Sequence, residues 1–303
     1  MTRIIFMGTP DYAADILKTL IATDDIDVVA VYTQPDKPVG RKGILTPPAV
    51  KVLAQEAHIK VIQPSRLRDE KVVEELLHIK CDLIIVAAYG QILPKAILEH
   101  AMCINLHASI LPQYRGASPI QQSLLHNDTK SGVTAMLMDE GLDTGAIIKI
   151  VTVEISPDEM VTTLYDSLAT IACDLTVDVI RNWDQKTILP QNDKEATYCS
   201  KISKSDGLIG FENAVDIYNK YRAFTPWPGV YLESGLKLKE MELIESQSQG
   251  AAGKIVATDL DGIVVQCNQG SLRLIKLQAP SKQETSAIAY LNGKRIGCGN
   301  TLV

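Results

Sequence analysis

Leu83-Ile84-Ile85-Val86-Ala87-Ala88 has no polar position. A strand wetted on one side alternates apolar and polar residues. One that is apolar throughout is covered on both faces, as in parallel sheets sandwiched between helices. The flanking sequence fits that frame. Upstream, residues 3–7 read as a strand broken by Gly8-Thr9-Pro10, after which Tyr12, Ile16, Leu17 and Leu20 recur at helical spacing. Residues 27–33 then read as a strand, 48–57 as a helix, 60–63 as a short strand and 69–77 as a helix. Downstream, 102–108 and 133–138 read as strands, with a helix over 120–125 between them. The expected class is α/β with a mostly parallel sheet.

The alternation ends after about residue 181, where a helical stretch over 158–181 gives way to a polar segment with little periodicity. Beyond it come a helix-like stretch (213–222), the corner Pro226-Trp227-Pro228-Gly229, and short alternating runs at 230–233, 236–243, 253–257, 262–267 and 271–277. Short strands separated by Gly, Asp and Ser point to a small β-barrel, with the oligonucleotide-binding (OB) type as a candidate. The expected division is a catalytic domain over 1–182, a linker over 183–206 and a barrel domain over 207–303.

With 46% hydrophobic and 22% charged residues, the 303-residue chain is ordinary globular material. Thirty Lys and Arg against 36 Asp and Glu give a net charge of −6, which argues against a surface that grips nucleic acid throughout. Residues 1–206 carry −7 and residues 207–303 carry +1, so any nucleic-acid contact has to rest on local clusters such as Lys220 with Arg222, Lys237 with Lys239, or Lys294 with Arg295. No apolar run approaches the roughly 20 residues of a bilayer span, and no secretory segment is indicated at the N-terminus. The six cysteines are never closer than 22 residues, so the expectation is reduced buried thiols in a cytoplasmic protein rather than a metal or disulfide framework. A monomer is the default expectation.

Ligands of open α/β sheets bind beyond the carboxyl ends of the strands. Gly8-Thr9-Pro10 lacks the G-x-G-x-x-G pattern, and Pro10 has no N–H to offer a phosphate, which argues against a dinucleotide site there. The strand over 102–108 is more informative. Side chains alternate along a strand, so Asn105 and His107 share a face while Ile104 and Leu106 take the other. An Asn amide donates to a developing oxyanion and an imidazole moves protons near neutral pH. The competing reading is a pair of satisfied structural residues. A second polar cluster, Asp139-Glu140-Gly141-Leu142-Asp143-Thr144-Gly145, follows the strand over 133–138. Asp143, framed by two glycines, reads either as a turn residue or, if the two strands are neighbours, as a carboxylate brought to the imidazole.

Asn105-x-His107-x-Ser109-x-Leu111-Pro112, then Arg115-Gly116-x-x-Pro119 and Gly141-Leu142-Asp143-Thr144-Gly145, resembles the signature of the folate-dependent formyltransferases. Further matches are Phe6-Met7-Gly8-Thr9-Pro10-Asp11, Thr33-Gln34-Pro35-Asp36-Lys37-Pro38 with Gly40-Arg41, Ala87-Ala88-Tyr89-Gly90-Gln91-Ile92-Leu93-Pro94, and Arg222-Ala223-Phe224-x-Pro226-Trp227-Pro228. They extend the resemblance over nearly the whole chain and are most similar to members acting on tRNA.

The resemblance implies a Rossmann-like domain followed by an OB-like barrel that contacts tRNA. It implies a reaction in which 10-formyltetrahydrofolate is the formyl donor and methionyl initiator tRNA the acceptor, giving the formylated tRNA used in translation initiation, with no metal. Asn105, His107 and Asp143 take the catalytic roles. Ser109, Ile110, Leu111 and Pro112 contribute to the folate site, Ile110 standing where the family usually has Leu. Tyr89, Gly90, Ile92 and Leu93 are expected as a wall for the pterin ring; the alternative for that stretch is a helix-initiating loop closed by Pro94. The loop over 34–46 is long, basic and expected to be mobile. By the same resemblance its Lys37, Arg41 and Lys42 reach tRNA, where a solvated charge cluster is the plainer reading. Rival functions are formyl transfer to an amino-sugar nucleotide or another small amine, hydrolysis of the donor, and a silent folate- or RNA-binding module.

Overall fold

A computed structural model describes residues 1–40, 42–183 and 187–302. Two compact units emerge: residues 1–119, 130–155 and 164–200 form the first, and residues 120–129, 156–163 and 201–303 the second. The chain opens with β1 (Thr2–Gly8), α1 (Asp11–Ile21), β2 (Ile26–Tyr32), β3 (Lys37–Val39), β4 (Ile44–Thr46), α2 (Ala49–Glu56), β5 (Val61–Ile62), α3 (Glu70–Leu77), β6 (Leu83–Ala87) and α4 (Lys95–Leu98). It continues with β7 (Met102–His107), β8 (Arg115–Gly116), α5 (Pro119–Leu125), β9 (Lys130–Leu137), β10 (Ile147–Glu154), α6 (Val161–Asn182) and β11 (Tyr198–Cys199).

The sheet of the first unit has the strand order β10-β9-β7-β6-β1-β2-β5. The five strands from β7 to β5 run parallel, while β9 and β10 are antiparallel additions at one edge. β6 is buried at all five positions, as its uninterrupted apolar sequence requires. On one face Ile5, Met7, Ala30, Tyr32, Ile84, Val86 and Cys103 join Leu76 of α3 and Ile97 of α4 in a core. α1 buries Tyr12, Ile16, Leu17 and Leu20, the positions read from its periodicity, together with Ala13.

Two expectations change here. The loop over 34–46 contains a β-hairpin, β3 paired with β4. Its strands are three residues long and exposed at every position, and β3 contains Pro38, so no alternation marks them. In the expected linker over 183–206, residues 187–200 fold into the first unit: Leu189 bridges Ile147 and β11 pairs with β8. Polar composition concealed this because the segment is held mainly by hydrogen bonds.

The second unit carries α7 (Ala214–Phe224), β12 (Val230–Tyr231), β13 (Lys237–Gln249), β14 (Lys254–Thr258), β15 (Ile263–Gln266), β16 (Gln269–Gln278), β17 (Thr285–Ser286) and α8 (Ala287–Lys294). Its strands form one antiparallel sheet in the order β12-β13-β16-β15-β14, with β17 also on β16. Phe211, Ile217, Leu238, Ile255, Val265, Leu274 and Leu291 share its core. Among the described residues, no helix is long and apolar enough to cross a membrane.

Candidate active site

β7 places the central pair. Cys103, Asn105 and His107 lie in one row on the same face; Cys103 belongs to the apolar core, and the two polar residues continue the row to the carboxyl end of the strand. Both are buried, Asn105 at 8% and His107 at 6% exposure. β9 is the neighbour of β7, with Leu137 opposite Ile104 and Thr134 opposite His107. The strands are antiparallel, so the segment after β9 leaves beside the start of β7, where the Met138 amide donates to the Cys103 carbonyl at 2.9 Å. It must fold back to reach the polar pair, and it does.

At the turn of that loop, Asp143 adopts φ +54°, in the left-handed region that non-glycine residues seldom occupy. Its carboxylate, 13% exposed, accepts from Asn105 Nδ2 at 3.2 Å and from the Gly116 amide at 2.8 Å. His107 Nδ1 lies 3.6 Å from Oδ2. The other ring nitrogen, Nε2, is 2.9 Å from the Tyr114 carbonyl, which can only accept, so Nε2 carries a hydrogen. The imidazole therefore stands between two acceptors. The Nδ1 distance exceeds a direct hydrogen bond, so a hydrogen on Nδ1 is not committed to the carboxylate. Asn105 Nδ2 has two hydrogens and, among the described residues, gives one to Asp143. Two donors and one carboxylate thus converge at a strand end, suited to holding negative charge on an oxygen and to taking a proton nearby.

The surroundings are built by a second set of polar residues. Arg115, 1% exposed, donates from Nε and Nη2 to Gln191 Oε1 at 3.0 and 2.8 Å, from Nη1 to Tyr198 Oη at 3.0 Å and from Nη2 to Asp193 at 2.8 Å. Burial works to lower its pKa, but the bonds to Asp193 and Tyr198 outweigh that and leave it above the ordinary arginine value. Gln191 Nε2 donates in turn to the carbonyls of Asp143 and Gly145 at 2.9 and 2.7 Å. Cys199 Sγ is 3.5 Å from the same Tyr114 carbonyl that meets His107. Two glycines are obligatory here. A Cβ on Gly145 would sit 1.8 Å from the Leu137 carbonyl, and one on Gly116, at φ +116°, would sit 2.2 Å from the Cys199 carbonyl. The sequence signs of this frame are Arg115-Gly116 and Gly145 in the motif; nothing in the polar stretch singles out Gln191.

The remaining expected residues distribute unevenly. The Ser109 hydroxyl donates to the Gln113 carbonyl at 2.6 Å, while its own carbonyl accepts from Thr134 Oγ1 at 2.6 Å. The Leu111 amide donates to the same Thr134 oxygen at 3.2 Å, so the segment from Ser109 to Pro112 is a pinned loop directly after His107. Ser109 and Leu111 are buried and Ile110 and Pro112 half-buried. In the strip after β6, the Tyr89 and Leu93 side chains belong to the core, whereas Gly90 is exposed and Ile92 is 69% exposed. Burial pushes the Tyr89 phenol up in pKa. Its carbonyl, accepting from Thr9 Oγ1 at 3.3 Å and Gln34 Nε2 at 3.1 Å, ties this strip to the loops after β1 and β2. Lys37 and Lys42 are exposed on the β3–β4 hairpin; Arg41 lies outside the described residues. Among the described residues no three His, Cys, Asp or Glu side chains gather as a metal site.

This fold and site define a class. Residues 2–180 match the formyl transferase family and residues 201–295 match the formyl transferase C-terminal domain; the chain belongs to the formyl transferase family. Within it, the chain is 60% identical over 300 residues to the methionyl-tRNA formyltransferase of Sulfurimonas denitrificans, covering 99% of each chain. It is 51% identical over 301 residues to the methionyl-tRNA formyltransferase of Nitratiruptor sp., again covering 99% of both. An N-formyltransferase from Helicobacter canadensis, solved in complex with folinic acid and dTDP-3-aminofucose, superposes with a TM-score of 0.68 over 90% of this chain and 99% of its own; at 20% identity that likeness concerns the fold.

Proposed function

We propose that this chain transfers the formyl group of 10-formyltetrahydrofolate to the α-amine of methionyl initiator tRNA, in the cytoplasm. The observation that carries the reading is the meeting of Asn105, His107 and Asp143 at the carboxyl end of β7, in a chain whose full-length relatives bear the name of that tRNA enzyme.

The chemistry follows from the groups. The neutral amine attacks the formyl carbon, the C–O double bond becomes an alkoxide, and a tetrahedral intermediate forms. Asn105 Nδ2 and the protonated Nδ1 of His107 donate to that oxygen, each such donor being worth about 10²–10³ in rate. The Asp143 carboxylate stands 3.6 Å from Nδ1. The attacking nitrogen must lose a proton and the departing folate nitrogen must gain one; Asp143 relays it through water. Collapse of the alkoxide then breaks the bond to the folate nitrogen.

In this reading the pinned loop from Ser109 to Pro112 forms one side of the folate site, and the strip after β6 contributes Gly90 and Ile92 at the surface while Tyr89 and Leu93 support it from the core. Lys37, Arg41 and Lys42 on the hairpin segment contact the tRNA. The sheet-bearing domain is the catalytic one, and the antiparallel second domain contributes to tRNA contact. The decisive assay offers 10-formyltetrahydrofolate with methionyl initiator tRNA, uncharged tRNA and an amino-sugar nucleotide in parallel. Formylation of the first alone is the expected result; formylation of the sugar with the charged tRNA untouched would overturn the acceptor assignment.

A further inference from the structure

Gln191 uses its whole carboxamide, and every partner belongs to the frame around Asp143. Oε1 takes two hydrogens from the Arg115 guanidinium; Nε2 gives its two hydrogens to the Asp143 and Gly145 carbonyls. The buried guanidinium decides which way the amide faces, since the flipped amide would set NH₂ against cationic N–H groups and oxygen against two carbonyl oxygens. Gly116, next to Arg115 in sequence, donates its amide to the Asp143 carboxylate. The side chain of Asp143 is thus held from β8 and its backbone from Gln191, which Arg115 of β8 orients, in a backbone conformation that aspartate does not favour when left to itself.

We propose that Gln191, oriented by Arg115, is a positioning residue for formyl transfer: it clamps the turn that aims the Asp143 carboxylate at Asn105 and His107. The inference rests on the reading of those three residues as the reacting site. Gln191 touches no reacting atom. Its effect runs through the angle and distance at which Asp143 meets the imidazole, where a displacement of about 1 Å can cost on the order of 100-fold in rate.

The test compares Gln191→Glu, Gln191→Ala, Asp143→Asn and the Gln191→Glu/Asp143→Asn double variant in full-length protein, with steady-state formylation of methionyl initiator tRNA as the readout. A glutamate keeps both contacts to Arg115 but has no hydrogen for the two carbonyls. Both single Gln191 variants are expected to lose about 10- to 100-fold in kcat while KM for donor and tRNA stays within about threefold. In the Asp143→Asn background the added Gln191→Glu change is expected to cost less than about threefold, because a carboxylate that is gone has no aim to lose. If Gln191→Ala lowers the melting temperature, the Glu variant, with its Arg115 contacts intact, carries the test. Wild-type kcat in Gln191→Glu, or losses that multiply in the double variant, overturns the clamp. Wild-type turnover in Asp143→Asn overturns instead the site reading beneath it.

Discussion

Asn105→Asp changes one NH₂ to O⁻ in a side chain of the same shape. In the wild-type protein Nδ2 donates to Asp143 Oδ1 at 3.2 Å. In the variant two carboxylates meet at about that separation, and at an effective dielectric near 20 the repulsion is about 5 kcal/mol. Part is relieved when the pair takes up one shared proton, as coupled carboxyls do. The variant also lacks a donor for the oxyanion, a loss of about 10²–10³ in rate. Asn105→Ala loses the donor without gaining the repulsion. At pH 8 the Asp variant should therefore be the slower of the two, with kcat at least about 10³-fold below wild type. As pH falls and the shared proton supplies an O–H, the gap to the Ala variant should narrow. Single-turnover formylation of charged tRNA between pH 5 and 9 measures this directly. An Asp variant within tenfold of wild type at pH 8, or a gap to Ala that does not change with pH, would refute the assignment of Nδ2 to the developing charge.

Three further outcomes are expected. Gly145→Ala, whose Cβ meets the Leu137 carbonyl at 1.8 Å, should lower stability by roughly 2 kcal/mol or more in urea unfolding and abolish turnover with it; a variant of wild-type stability and activity would show that the turn can move aside. Burial pushes the Cys103 and Cys267 thiols up from 9.0 to about 12. Their contribution to stability is complete below the unfolded value and is lost as pH rises from about 9 towards 12, by up to about 1.4 kcal/mol per pH unit for each thiol. Urea midpoints that hold steady from pH 8 to 11 would contradict it. Lys37→Ala with Lys42→Ala should weaken tRNA use and flatten its salt dependence by about two units of the log–log slope, leaving the folate KM unchanged; an unaltered slope removes the hairpin from the interface.

The sheet was legible because burial writes itself into sequence. The unbroken apolar run of β6 and the row through Asn105 and His107 each follow from which faces of a strand meet solvent. The site was legible as far as its motif residues. What the motif could not convey was direction: β9 runs against β7, so Asp143 reaches its partners only because the loop doubles back. The hairpin at 37–46 escaped because its short exposed strands bury nothing that would leave a pattern. Residues 187–200 escaped for a related reason. Gln191 and Asp193 hold Arg115 by hydrogen bonds, and polar side chains that bond each other across more than 70 residues look, in one dimension, like polar side chains in water.

The late position of that segment has a consequence for how the protein is made. Ribosomal synthesis delivers β7 first, then the turn bearing Asp143, then the 22 residues of α6, and only afterwards Gln191 and β11. A nascent chain long enough to complete the seven-stranded sheet still lacks the strand that pairs with β8 and the amide that ties down the turn. If Asn105, His107 and Asp143 are the reacting residues and Gln191 positions them, as proposed, catalytic competence is acquired after the sheet is assembled rather than with it. A shortened protein ending where the first family match ends, at residue 180, would hold Asn105, His107 and Asp143 without the side chain that bonds the Asp143 and Gly145 carbonyls.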